Sequence, residues 1–162
     1  MKRIRLINGR YATVDDCDYD FLKLWRWSYD ARGESGYATR GTRCNGKSRT
    51  VYMHRIVAKR MGLRITRKDV DHIDRNRSNN CRQNLRIATR GQNLSNRPLN
   101  RNNTSGFRGV TWDKVNHKWE AKIQVDRRYH KIGRFTDKRE AVRKYNEAAR
   151  KYFGTFASTN RT

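Results

Sequence analysis

Acidic residues, prolines and long apolar runs are scarce in this 162-residue chain. Only 15 Asp and Glu stand against 39 Lys and Arg, and the formal net charge of +24 calls for a negatively charged partner. No run of about 18 apolar residues exists, which argues against a membrane-spanning helix. Residues 1–6 also lack the apolar segment of a signal peptide, so we expect an intracellular, cytoplasmic protein.

Cysteines are few and scattered along the sequence. Cys17, Cys44 and Cys81 are odd in number and include no Cys-x-x-Cys pair. This spacing indicates neither a disulfide framework nor a zinc site, so we expect reduced thiols. Aromatic residues make up 10% of the chain, which argues against disorder and favours one domain or two small ones.

The basic excess runs through both halves of the chain rather than forming a tail. Nucleic acid is the commonest intracellular polyanion that binds such a surface, because binding releases counterions; acidic membranes and acidic proteins are the alternatives. One local exception is a group of aspartates with no base among them. We predict that they form a solvated loop: Asp15, Asp16, Asp18 and Asp20.

Changes of pattern along the chain indicate its organisation. The single proline lies in a polar, Asn-rich stretch that we predict to be a linker over residues 98–104. Residues 1–50 have the character of short strands and turns, with Asn8 and Gly9 as a hairpin turn, and we assign them to an N-terminal β-rich region. In residues 51–61 the apolar positions recur at helical spacing, which predicts a helix of about three turns.

Residues 70–93 carry the most informative pattern. They predict a strand, a polar loop, a second strand and a short helix, which Thr89 and Gln92 begin as a capping box. An element of this size is too small to bury a core alone. Other parts of the chain, or a metal, must therefore hold it in place.

Three residues of this segment suit phosphodiester chemistry. Asp71 and Asn93 supply hard oxygen ligands, which Mg²⁺ accepts beside waters and phosphate oxygens. His72, when neutral, can take a proton from a water that attacks a phosphodiester. Adjacent strand residues point to opposite faces, so Asp71 and His72 can share one phosphate only if the strand twists or ends there.

The segment closely resembles the HNH endonuclease motif of the homing type, found in phage and intron-encoded enzymes. The resemblance is carried by Asp71-His72-Ile73-Asp74, by Asn84 before Leu85, and by the terminal Asn93. It implies a ββα-metal unit, which we place at residues 51–97, with Asp71 and Asn93 as ligands of a divalent metal. It also implies that His72 is the general base and that Asn84 braces the loop and so orients His72.

Residues 52–57 resemble the segment that commonly precedes this motif. The resemblance makes His54 and Arg55 candidates for contacts with DNA phosphates. The terminal ligand position holds Asn93 rather than His, which leaves the preferred metal open.

A second unit is predicted after the linker. Strands are expected near residues 105–112 and over 118–125 and 128–135, with Asp126-Arg127 as a tight turn, followed by a helix over 137–153. The apolar face of the helix covers one face of the sheet, and we assign Trp112, Phe135 and Phe153 to the core. Basic, polar and aromatic residues near the free face suit a DNA groove: Arg108, Lys118, Trp119, Lys122, Gln124, Arg128 and Lys131.

Residues 105–160 resemble the apetala/ethylene-response-factor DNA-binding domain, which occurs in plant regulators and phage endonucleases. Four motifs agree in order and spacing, at residues 106–110, 118–123, 132–135 and 140–149. The resemblance implies that the three-stranded sheet lies in the major groove and that Arg108, Trp119, Lys122 and Gln124 contact DNA. For Trp119 a core position is the alternative, because a tryptophan in a strand is at least as often in the core as in a groove. Thr111 and Gln124 stand where the plant proteins often have Arg, so their target sequence is not carried over.

Together these patterns predict an α+β fold, in which a ββα-metal HNH nuclease unit precedes a three-stranded antiparallel sheet packed on one α-helix. The predicted function is a metal-dependent, site-directed DNA endonuclease, similar to homing endonucleases, that hydrolyses double-stranded DNA with Mg²⁺ or Mn²⁺. One active site per chain predicts a monomer that nicks one strand. A phage-encoded protein would act in the host-cell cytoplasm.

Two other classes of protein fit the composition. The main alternative is a sequence-specific DNA-binding regulator without catalysis, in which the ββα element is only a brace and DNA binding survives chelation. The other is a basic RNA-associated structural protein, which binds A-form duplexes or single strands at least as well as B-DNA.

Overall fold

The computed structural model describes residues 1–31, 36–100, 102–126 and 128–161. Arg101 of the predicted linker and Arg127 of the predicted turn lie outside the described residues. The fold mixes helices with antiparallel sheets, which confirms the predicted class to that extent. Among the described helices, none is long and apolar enough to cross a membrane.

The chain divides into two compact units, Met1–Ala88 and Thr89–Thr162. In the first unit, Gly9 takes a positive φ of 78° in the loop between the first two strands, where a turn was predicted. The elements in the first part of this unit are β1 (Lys2–Arg5), β2 (Tyr11–Val14), α1 (Asp16–Leu22), β3 (Ser28–Asp30), β4 (Tyr37–Cys44) and β5 (Lys47–Tyr52). Strands β1 and β2 form one antiparallel hairpin, and β3, β4 and β5 form an antiparallel sheet in that order.

The rest of the first unit is α2 (Met53–Arg60), β6 (Asp69–His72), a 3-10 turn (Arg82–Asn84) and β7 (Leu85–Ala88). Helix α2 confirms the predicted helix. It ends before Gly62, whose φ of +75° suits a glycine and whose N–H donates to the Lys59 carbonyl at 2.9 Å. Strands β6 and β7 are antiparallel, with His72 opposite Leu85.

One hydrophobic core joins the N-terminal strands to α2 and to the β6–β7 pair. Leu6, Trp27 and Met53 are almost fully buried in it, and Val70 and Leu85 belong to the same cluster. The Trp27 indole N–H donates to the Leu22 carbonyl at 2.8 Å, so this buried donor is satisfied. The small strand–loop–strand element therefore gains a core from residues that precede it in the chain.

A buried carboxylate connects three elements of the first unit. Asp18, on α1, is fully buried and lies 2.6 Å from Arg60 Nε on α2 and 2.7 Å from Arg82 Nε in the 3-10 turn. Burial alone raises the pKa of Asp18, but hydrogen bonds and charge from Arg82 and Arg60 outweigh it and hold the pKa below its ordinary value of 3.8. The prediction of a solvated loop is wrong here, since these aspartates begin a helix and the arginines pair with Asp18.

The second unit contains α3 (Arg90–Ser95), β8 (Val110–Asp113), β9 (Lys118–Val125), β10 (Arg128–Phe135), α4 (Lys138–Phe153) and a final 3-10 turn (Gly154–Phe156). The three strands form an antiparallel sheet, and β9 is its central strand. The Asp137 side chain accepts hydrogen bonds from the N–H groups of Arg139 and Glu140 and so caps α4. Gly154, with a φ of +52°, follows its last residue.

Helix α4 covers one face of this sheet. Val110, Ala121 and Ile123 from the strands pack with Val142 and Tyr145 from the helix. Trp112 differs from its predicted core position. It is 43% exposed at the end of the sheet, with its ring centroid 5.1 Å from that of Trp119. Two other predicted core residues, Phe135 and Phe153, are partly buried against the cluster.

Replacing Asp18 by Asn tests the buried ion pairs. We expect the free energy of unfolding at pH 7 to fall by about 2 kcal/mol, because two guanidinium groups then face a neutral amide. A carboxylate with a lowered pKa stabilises above its ordinary value and loses that effect as the pH falls through the folded-state pKa, so the difference from wild type must shrink below pH 3.8. Denaturant unfolding followed by circular dichroism at several pH values measures it.

Asp20→Asn is the matched control, because Asp20 lies on the same helix and is exposed, and its ion pair is with the exposed Lys23. It should leave unfolding nearly unchanged. Equal effects of the two substitutions would contradict the role of Asp18.

Candidate functional site

The loop between β6 and β7 is held at both ends by Asn84. Its amide nitrogen donates to Asp74 Oδ1 at 2.9 Å and to the Asn79 carbonyl at 2.8 Å. Its amide oxygen accepts from the Asp74 backbone N–H at 3.0 Å. Asn84 is buried, so these bonds are shielded from water and are costly to lose. This geometry agrees with the bracing role that the family resemblance implies.

His72 is the last residue of β6 and is 4% exposed. Its Nε2 lies 3.3 Å from the side-chain oxygen of Asn80. The Asn80 amide nitrogen donates to the Ser78 carbonyl at 3.2 Å, which turns the amide oxygen toward His72. An amide oxygen at this position favours the tautomer of His72 that has its proton on Nε2 and its lone pair on Nδ1. Strand β6 ends at His72, so the alternation of side chains does not continue beyond this residue.

Aromatic rings enclose His72. The ring centroid of His54 is 5.1 Å from that of His72, and Tyr37 lies 5.0 Å from His54 and 6.0 Å from His72. The Arg77 guanidinium is 4.7 Å from the centre of the Tyr37 ring. Tyr37 begins β4, far from the motif in sequence, and its local pattern gave no signal of this contact. Asn80 and Arg77 lie in the loop and were also not predicted.

His54 and Arg55 were predicted as phosphate contacts. His54 is 7% exposed among rings, an environment that suits a residue supporting His72. Arg55 donates to the carbonyls of Ile65 and Lys68, each at 3.4 Å, and so ties α2 to the segment before β6. The structure thus gives both residues contacts within the first unit.

Burial sets the charge of the two histidines. Together with the neighbouring His72, Arg55 and Arg77, it lowers the pKa of His54 to about 3. Burial also lowers the pKa of His72, although the hydrogen bond to the Asn80 oxygen and the charges of Asp74 and Asp71 act in the opposite direction. Both imidazoles are therefore neutral near pH 7, as a proton acceptor must be.

Asp71 is buried on β6 directly opposite Arg86 on β7. An Arg86 nitrogen lies 2.9 Å from Asp71 Oδ2, and this ion pair was not predicted. In the parts of the chain that the structure describes, no three His, Cys, Asp or Glu side chains form a cluster suited to a metal. The side chain of Asp71 supplies hard oxygen donors of the kind that Mg²⁺ accepts beside several waters.

Asn93 belongs to the second unit, in helix α3. The start of this helix shows the predicted capping box. The Thr89 N–H donates to Gln92 Oε1 at 2.8 Å, and the Gln92 N–H donates to Thr89 Oγ1 at 3.3 Å. The Asn93 N–H donates to the Thr89 carbonyl at 3.0 Å, so Asn93 is in the first turns of a capped helix.

The free face of the second unit's sheet carries four of the predicted DNA contacts. Side chains alternate along β9, so Lys118, Lys122 and Gln124 lie on the face opposite to that of Ala121 and Ile123. Cross-strand neighbours share a face, which adds a set of residues from β10: Tyr129, Lys131 and Arg134. Glu120 lies among these cations, 3.6 Å from Lys131 Nζ and 3.7 Å from Arg134 Nε.

Trp119 and Arg128 differ from the prediction. Trp119 lies on the opposite face of β9 from Glu120 and packs with the core on the helix side. Lys138 Nζ of α4 is 4.8 Å from the centre of the Trp119 ring. Arg128 is opposite Val125, another residue of the helix side. Apolar residues stand at every second position of β9, and this alternation indicates that Trp119 faces the helix.

Arg108 lies in the turn before β8. Its backbone N–H donates to Asn160 Oδ1 at 2.7 Å, and its guanidinium donates to the Arg97 carbonyl. The next residue, Gly109, has a φ of +68° and lies against the Tyr145 ring, where a side chain would collide. This explains the second glycine of the Gly-Phe-Arg-Gly-Val motif.

Comparison with known proteins agrees with the geometry of the first unit. A family model described as HNH endonuclease matches residues 51–95. Protein 3.8 of Escherichia phage T7 is 33% identical over 88 residues, which cover 54% of this chain and 72% of that protein. The Uncharacterized HNH endonuclease L560 of Acanthamoeba polyphaga mimivirus is 35% identical over 92 residues, covering 57% of this chain and 46% of that protein. No solved structure matches the chain.

These matches define the class of protein. Residues 51–95 form an HNH endonuclease domain, which confirms that part of the resemblance and supports a nuclease. The chain belongs to the family that includes protein 3.8 of phage T7. The resemblance of residues 105–160 to the apetala/ethylene-response-factor domain is outside the matched family domain and stays a prediction.

Acid unfolding tests the burial of His54. The unfolded chain takes up a proton near the ordinary pKa of 6.5, whereas folded His54 does so only near pH 3, so protonation favours unfolding as the pH falls between these values. One such group costs about 1.4 kcal/mol per pH unit over that interval. His54→Phe keeps a ring and removes the titration, so we expect its stability to fall less than that of wild type between pH 6.5 and 4.5.

The exposed His130 supplies the control, and His130→Phe should keep the acid dependence of wild type. Denaturant unfolding of the three proteins at matched pH values provides the comparison. An acid dependence of His54→Phe equal to that of wild type would contradict the assignment.

Proposed function

We propose that the protein is a metal-dependent, site-directed DNA endonuclease, similar to homing endonucleases, that hydrolyses phosphodiester bonds of double-stranded DNA. The observation that carries this proposal is the environment of His72 within an HNH domain. His72 is buried, neutral and oriented by Asn80, and it follows Asp71 at the end of a strand. A surface histidine in a merely structural pair has no need of such an enclosure.

His72 acts as the general base. Its Nδ1 takes the proton of the water that attacks phosphorus, while the Nε2–H bond to Asn80 keeps the ring in place. Asn84 holds the ends of the loop, and the rings of Tyr37 and His54 limit the movement of His72. General-base help of this kind accelerates a reaction by about 10²–10⁴. The products carry 5′-phosphate and 3′-hydroxyl ends, as the HNH resemblance implies.

Asp71 and Asn93 are the proposed ligands of the divalent metal, Mg²⁺ or Mn²⁺. When bound, the metal neutralises charge that develops on the phosphate and on the leaving oxygen. The pair with Arg86 supports this role of Asp71, because it fixes the orientation of the carboxylate.

The second unit is the proposed DNA-reading module. Its free sheet face carries Lys118, Lys122 and Lys131 beside Gln124, a mixture of phosphate contacts and a side chain that can read a base edge. One active site per chain supports a monomer that nicks one strand.

Conversion of supercoiled plasmid tests the nuclease. Plasmids that carry a library of candidate sites are incubated with Mg²⁺, Mn²⁺ or a chelator, and we expect metal-dependent nicked product from wild type. His72→Ala should lower the rate by about 10²–10⁴, whereas the exposed His130→Ala should not. Asp71→Ala and Asn93→Ala should reduce cleavage and keep DNA affinity.

Two results would contradict the nuclease. Cleavage that persists in chelator would exclude the proposed metal dependence. Binding of the same plasmids without any product would favour the alternative, a sequence-specific DNA-binding regulator without catalysis.

Salt dependence of DNA binding tests the sheet face. Lys118→Ala with Lys131→Ala removes two proposed phosphate contacts, so the slope of log K against log salt should fall by about 2. Arg143→Ala with Lys151→Ala removes the same charge from exposed positions of α4, on the other side of the sheet, and should change the slope less. Equal slopes for the two double variants would argue against this face.

A further inference from the structure

The β4–β5 hairpin ends in an exposed arm, residues 41–50. Every residue of the arm is exposed except Thr42, which is partly exposed, and none belongs to the core. Asn45 and Gly46, with φ of +49° and +71°, form the two-residue turn that connects the strands. Positive φ at both turn residues matches the twist of a tight hairpin, so the arm is a regular two-stranded ribbon.

The arm is strongly basic. It contains Arg43, Lys47 and Arg49, and no Asp or Glu occurs anywhere in residues 36–68. Among the described residues, none of these three cations forms an ion pair with a carboxylate. The positive charges of the arm repel one another and no carboxylate of the arm offsets them, so the arm favours an anionic partner.

The register puts cations on both faces of the ribbon. Lys47 is opposite Cys44, and Arg49 is opposite Thr42, on one face. Arg43 is opposite Ser48 on the other face. The remaining side chains are small and mostly carry hydroxyl groups, and the large exposed apolar residues of the chain lie elsewhere. Such a ribbon suits a groove with two anionic walls better than a flat membrane or an apolar protein surface.

The base of the arm leads directly to the candidate site. The Arg40 guanidinium is 4.8 Å from the centre of the Trp25 ring, which fixes the strand before the arm leaves the core. At the other face, Tyr37 and Tyr52 pack against His54 with ring centroids 5.0 Å and 5.6 Å away. The two strands that form the arm therefore also hold the rings around His72.

We infer that the arm, residues 41–50, binds duplex DNA by entering a groove with its cations on the phosphates of both walls. The inference rests on the proposed function, because it supplies that nuclease with a DNA contact inside the first unit. A two-stranded ribbon fits the major groove, which is about 12 Å wide. The arm lies outside residues 51–95, so the matched family domain does not account for it.

Removing the charges of the arm is the first test. The affinity of the variant Arg43→Ala/Lys47→Ala/Arg49→Ala for a 40-bp duplex of mixed sequence is measured in metal-free buffer over a range of salt concentrations. The slope of log K against log salt should fall by about 2–3, as expected for three phosphate contacts. The control Arg5→Ala/Arg26→Ala/Arg64→Ala removes three exposed charges of the same unit and should change the slope by less than about 1. Slopes that match between the two variants would overturn the inference.

Cys44 allows a second, direct test. It is exposed on the arm, whereas Cys81 is buried, so Cys17→Ser leaves Cys44 as the accessible thiol. An iron chelate attached there should cut bound duplex at a few adjacent nucleotides on both strands. The same reagent on Cys17 in Cys44→Ser protein is the control, and cutting no stronger than that control would overturn the inference.

Neither test depends on cleavage by the protein itself. If wild type nicks DNA but the arm variant binds as tightly as wild type, the inference about the arm is wrong and the proposed function stands. If wild type does not bind duplex DNA at all, both fail.

Discussion

The buried carboxylate of Asp18 is the constraint on which the first unit depends. It is fully buried between Arg60 and Arg82, and these three residues belong to α1, α2 and the turn that leads into β7. The Arg82 backbone N–H also donates to Asp15 Oδ2 at 2.6 Å. A buried charge tolerates little displacement of its partners, so this cluster fixes where the β6–β7 loop ends. Asn84, two residues after Arg82, then holds the loop that contains Asn80.

Burial also decides the chemistry of the site. Enclosure by Tyr37 and His54 removes water from His72, keeps the imidazole neutral and leaves Asn80 to select the tautomer. Asp71, Asp74 and an anionic substrate all favour the protonated imidazole, so burial is what keeps His72 neutral. The N-terminal strands therefore contribute to the surroundings of His72. Strand β4 supplies Tyr37 and then continues into the basic arm.

Local rules predicted local features well. The Thr89–Gln92 capping box, the bounds of β9 and β10 and the helix that follows them depend on neighbours in sequence, and spacing alone reveals them. The pair of Asp18 with Arg60 and Arg82 joins residues 42 and 64 positions apart, and no local pattern indicates it. Trp119 is a different case, because the alternation of apolar residues along β9 is a local pattern that indicates its orientation toward the helix.

The most direct test of the central claim concerns the ends left at a nick. Plasmid nicked by wild type with Mg²⁺ is freed of metal and protein and then treated with DNA ligase. Hydrolysis with His72 as base predicts ends with 5′-phosphate and 3′-hydroxyl, which ligase seals, and no such nicks from His72→Ala. Nicks that ligase cannot seal, or that His72→Ala produces at the wild-type rate, would contradict the account.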